Sequence, residues 1–198
     1  MKKTVALCII VLLVVMSVAS SFGCQQQAAL APPPAQTPKP TIGSLIYTNS
    51  EHGFSVEYPT DWNLEENLTE QEKFTGIVIK FLGPLPAEYD NRAVIIIEAD
   101  KLPSEFTAEE YAEVVEIRIL KKNLPDYVNL EEQTTVIGGV PSLMRTFTAT
   151  MQDAPHKDIQ AYFTKENVGY AITYDVTIDS HDKYVGCFEL VTSTFKFE

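Results

Sequence analysis

The chain has 198 residues, enough for one domain of ordinary size, and carries 15 Lys and Arg against 27 Asp and Glu. The only charges in the first 23 residues are Lys2 and Lys3; without them 13 basic side chains face 27 acidic ones, a net charge of -14. Such a surface repels polyanions, which argues against nucleic acid and against direct adhesion to anionic lipid head groups, and leaves cationic partners open.

Met1-Lys2-Lys3 is followed by an apolar run from Val5 to Val18 and then by the small-residue stretch Ala19-Ser20-Ser21-Phe22-Gly23. This is the charge, apolar and small-residue order of an export signal, and the run is shorter than the roughly 20 residues a spanning helix needs. Residues 1–23 are therefore read as a cleaved signal peptide. Residues 25–42 are rich in proline and nearly uncharged, a composition that favours extended polyproline II and cannot build a core. With Cys24 they are read as a tether, the segment 24–44, ahead of a globular domain at 45–198.

Cys8 leaves with the signal and Cys24 precedes the tether, so only Cys187 remains in the domain and no intramolecular disulfide is available. The domain must be stable through its core alone.

Short segments rich in β-branched and aromatic residues follow: 45–47, 54–58, 76–81, 93–99, 133–137, 143–150, 159–165 and 170–177. Hairpin signals at Gly138-Gly139 and at Glu166-Asn167 join several of them, so the sheet is expected to be mainly antiparallel. Across 163–177, Phe163, Lys165, Tyr170, Ile172, Tyr174 and Val176 alternate with Ala171, Thr173, Asp175 and Thr177, which predicts one buried and one polar face.

Thr107 and Glu110 form a capping-box pattern that predicts a helix running towards Pro125, with Tyr111, Val114, Val115 and Leu120 along its apolar stripe. A second helix is expected from about Ser180, burying Tyr184, Cys187, Phe188, Val191 and Phe195. Cys187 reads as a small buried apolar residue.

The residues Ser21-Phe22-Gly23-Cys24 resemble the lipobox of bacterial and some archaeal lipoproteins, departing from the usual pattern at Ser21 and Phe22. The resemblance implies acylation of Cys24, membrane lipid as a partner and an extracytoplasmic, membrane-anchored location.

The string Gly53-Phe54-Ser55-Val56-Glu57-Tyr58-Pro59-Thr60-Asp61-Trp62 is similar to the opening strand of PsbP-like domains, and the element order over 45–198 follows the same family. Tyr58-Pro59 ends a strand, since proline cannot donate to a ladder, and Trp62 is expected to fold back over the core. The resemblance implies an α+β fold, a mainly antiparallel sheet flanked by helices in an α-β-α sandwich. It also implies a non-catalytic accessory or interaction module, with an envelope or membrane protein as partner. Photosystem II association is a third reading that follows from the plant and cyanobacterial members of the family.

Chemistry is thin. The three histidines, His52, His156 and His181, lack the spacing of a helical zinc site, and no nucleophile elbow or phosphate loop appears. Two mixed clusters, Asp153-His156-Asp158 and Asp179-His181-Asp182, offer donors to a divalent cation but read first as solvated turn formers and helix caps. Glu109, Glu110, Glu113 and Glu116 read as a solvated helix face. The sequence thus predicts no catalytic residue, no metal site and no cofactor, with a small-ligand or cation-binding protein as the competing class.

Overall fold

The computed structural model describes residues 43–85 and 92–198. The expected signal, Cys24 and all but the last two residues of the expected tether lie outside the described residues. In chain order the elements are β1 (Ser44–Asn49), β2 (Phe54–Pro59), β3 (Asn63–Glu65), α1 (Glu70–Phe74), β4 (Ile77–Leu82), β5 (Val94–Lys101) and α2 (Ala108–Val115). A π turn (Glu116–Leu120), the short α3 (Lys121–Asn123), β6 (Val128–Ile137), β7 (Val140–Met151), β8 (Ala154–Lys165), β9 (Val168–Asp175), α4 (His181–Thr194) and β10 (Lys196–Phe197) complete the chain.

Seven strands form one antiparallel sheet in the order β3-β4-β5-β9-β8-β7-β6, and β1, β2 and β10 form a second, three-stranded one. Both faces of the large sheet are covered. On one, α4 and β2 close over Ile79, Ile97, Phe163 and Ile172, with Phe188 and Val191 of the helix fully buried. On the other, α2 sets Tyr111, Ala112 and Val115 against Leu143, Phe147, Tyr162 and Ala171. This is the expected α-β-α sandwich.

Local chemistry explains where the elements start and turn. Thr107 accepts from the Glu110 N–H while the Glu110 carboxylate accepts from the Thr107 N–H, the capping box that the sequence predicts. Gly138 and Gly139 both have positive φ, +59° and +82°, in the two-residue turn between β6 and β7. At the next turn Gln152 and Asp153 take the same left-handed region, at 49° and 63°, which makes Asp153 a turn residue. Trp62 does fold back, 4% exposed and edge-on to Tyr184 of α4.

Three expectations are corrected. The strand 170–177 was expected to leave one face polar and wet, yet every residue from Gly169 to Tyr174 is buried, because α2 covers the second face and selects small side chains beneath it. Gly169 is one of them: a Cβ there would sit 2.8 Å from the Tyr111 ring. The first helix does not run evenly to Pro125 but widens after Val115, where the Lys121 N–H reaches back five residues to the Glu116 carbonyl. Phe195 is buried as expected, but from the extended residue that ends α4, and β3, α1 and β10 were not foreseen.

Candidate functional site

The face beneath α2 carries the polar chemistry, arranged in cross-strand rungs. On β8 the side chains of His156, Asp158, Gln160 and Tyr162 share that face by the two-residue period of a strand. The two-residue turn after Lys165 pairs Lys165 with Val168, and the register holds down the hairpin to Ile159 opposite Tyr174. One rung further it sets Asp158 beside Asp175, and His156 bridges to Thr177.

These three residues meet. The His156 Nδ1 lies 2.7 Å from the Asp175 carboxylate and 3.9 Å from Asp158 Oδ1. A carboxylate only accepts, so the ring hydrogen sits on Nδ1 and is donated to Asp175. The His156 Nε2 on the far side of the ring is buried without a hydrogen-bond partner among the described residues. Asp158 is 2% exposed, and burial together with the neighbouring Asp175 charge holds its carboxyl well above the usual carboxylate range. The Val176 N–H, donated to Asp158 Oδ1 at 3.1 Å, opposes that rise.

Two carboxylates directly opposite one another repel unless a cation or a proton sits between them. One imidazole nitrogen and two carboxylate oxygens within 4.8 Å of one another form a set that suits the borderline ion Zn2+ or, through its two carboxylates, the harder Mn2+, bound through Nδ1 after loss of its hydrogen.

The structure therefore revises both sequence clusters. His156 and Asp158 are strand residues, 8% and 2% exposed, where the sequence reading placed them in a solvated loop. Asp153 stays in its turn and is not among the converging residues. The third partner, Asp175, falls by sequence alternation on the polar face of its strand. Its signal was the hairpin turn itself, since counting rungs back from that turn brings Asp175 opposite Asp158. In the second cluster Asp179 and Asp182 are exposed, whereas His181 is buried and donates from Nδ1 to the Lys157 carbonyl at 2.8 Å. That ring ties α4 to β8.

The next rung holds Arg145, 3% exposed. Its guanidinium reaches Glu132 at 2.7 Å, Glu116 at 3.4 Å and the Ala112 carbonyl at 3.2 Å, and lies over the Tyr162 ring. Glu116 is thus drawn inwards, unlike the exposed Glu109, Glu110 and Glu113 of the same helix. The Tyr162 hydroxyl donates to Gln160, whose amide donates to Thr173 at 2.9 Å. Glu98 on β5 shares this face, and burial beside the Asp100 charge pushes it up to about 7. Cys187 is buried in the opposite core, as its helical spacing predicts.

An antiparallel sheet covered by a helix on one face and by a helix with a small sheet on the other defines a class of α+β sandwich modules. The pattern of the PsbP-like protein family matches residues 5–197, and the chain belongs to that family. Two solved structures share the fold. The cyanobacterial PsbP protein CyanoP of Synechocystis is 15% identical, with a TM-score of 0.57 over 80% of this chain and 94% of its own. LpqN of Mycobacterium tuberculosis, described as involved in cell envelope biogenesis, is 13% identical, with a TM-score of 0.58 over 78% of this chain and 90% of its own. No curated protein matches the sequence significantly. No described helix is long and apolar enough to cross a membrane.

Proposed function

We propose that this chain is a non-catalytic PsbP-family accessory module, held outside the cytoplasmic membrane by lipid on Cys24 and serving a membrane protein complex. The observation that carries the reading is the family match, which begins at residue 5 inside the apolar leader and ends at residue 197 in the last strand. A match that takes in the leader, Cys24 and the tether along with the domain supports reading them together. The envelope role described for LpqN, a protein of the same fold, agrees with that location.

Mass spectrometry of the N-terminal peptide, together with a pull-down from solubilised native membranes, tests it. Wild type should carry an acyl mass on Cys24 and recover a stoichiometric membrane complex, and Cys24→Ala should lose both. An unmodified Cys24 removes the anchor, and recovery of no complex by either form removes the accessory role.

A second reading, divalent-cation binding, is favoured by the His156, Asp158 and Asp175 geometry. Titration with Mn2+ or Zn2+ should raise the melting temperature of wild type and leave His156→Ala unmoved. An equal response of the two proteins rejects that site.

A further inference from the structure

A cavity of about 280 Å3 lies between the end of β5 with its following loop and the outer flank of α2 with the π turn. It is nearly twice the ~150 Å3 apolar cavity that admits benzene. Leu102, Phe106, Val114, Val115 and Ile119 line it. Lys101 and Arg118 add two exposed cations, and among the described residues neither makes an ion pair with a carboxylate. Asp100, the acid in the lining, is turned to the Tyr111 hydroxyl, which donates to it at 2.6 Å.

Two unpaired cations beside an apolar hollow stand apart on a chain with 27 acidic and 15 basic residues. Ile117 and Ile119 of the π turn remain 56% and 50% exposed beside it. Apolar surface with unpaired positive charge is complementary to an apolar body with a negative head. The acidic surface as a whole repels an anionic bilayer, so the complement is a single molecule.

We propose that this cavity binds a monomeric anionic amphiphile of the fatty-acid type, its chain between α2 and the loop after β5 and its carboxylate on Arg118 and Lys101. The site is independent of the His156 cluster and of the anchor at Cys24.

The test uses the full chain in nanodiscs of zwitterionic lipid and a diazirine-bearing decanoate as photoprobe, with cross-links mapped by peptide mass spectrometry. Labelling should saturate, concentrate on residues 101–106 and 114–119, and be displaced by decanoate but not by decylammonium. Arg118→Glu, at an exposed position, should weaken labelling on the order of tenfold, the worth of a charged hydrogen bond. Val114→Trp should abolish it by filling the cavity, with a melting curve as the folding check. Label scattered along the chain, equal displacement by decylammonium, or an Arg118→Glu chain labelled like wild type overturns the proposal. Suppression of labelling in nanodiscs of anionic lipid would assign the cavity to a bilayer lipid and overturn the fatty-acid assignment.

Discussion

The two faces of the large sheet are built from different chemistry. Beneath α4 the packing is aromatic and aliphatic: Phe54, Phe163, Tyr170 and Phe195 form one contiguous ring cluster, with Phe163 and Tyr170 stacked at 5.4 Å between centroids. The rungs of the other face carry Arg145, Gln160, Thr173, Glu98, Asp158 and His156, and its apolar part is the one packed against α2. The first face supplies stability through burial. The second retains buried polar and ionisable groups that apolar packing would replace at little cost, and such groups are where ligand chemistry is to be sought.

Four substitutions sharpen that contrast, ordered from the largest expected effect. Phe188→Ala removes a fully buried ring from the α4 face and should destabilise by about 3–5 kcal/mol in denaturant unfolding. A loss below about 1 kcal/mol would show that this face is not the structural core. Arg145→Ala on the other face leaves Glu116 without its buried guanidinium partner and should cost about 3 kcal/mol, read as a shift of the urea midpoint.

Glu98→Gln should act in the opposite direction and depend on pH. An ordinary glutamate titrates at 4.5, whereas Glu98 in the fold is raised to about 7, so between those values the folded chain keeps a proton that the unfolded chain has lost. Stability therefore falls as pH rises through this window, by on the order of 1–2 kcal/mol at this half-buried site. Glutamine removes the fall: it should stabilise at pH 8 and be neutral at pH 4 in paired melting curves. Equal effects at both pH values would show that Glu98 is not held protonated. Thr107→Ala breaks the capping box of α2 and should cost about 1 kcal/mol, with Thr107→Asp restoring it.

Much of the fold was legible because local rules agreed. The capping box at Thr107 and Glu110, the glycine turn at Gly138-Gly139 and the helical spacing of Cys187, Phe188 and Val191 each appear where the sequence predicts them. The three-residue β3 and the two-residue β10 are too short for any pattern, and they exist because β4 and β2 offer open edges to pair with. Of the His156 cluster, His156 and Asp158 stand out in the sequence but look like residues of a solvated loop, because polar residues between strands resemble turn formers until the extent of β8 is known.

By itself the sequence determined the elements whose signal lies within a few residues, along with the antiparallel character of the sheet and its family. Tertiary structure alone decided which faces are covered. The period of a strand says only that neighbouring side chains point to opposite sides, and a helix folded from elsewhere in the chain determines whether the second side meets water. The covering of Gly169 and Ala171 and the cavity beside Arg118 follow from where α2 lies on the sheet. No residue within β8 or β9 encodes that position.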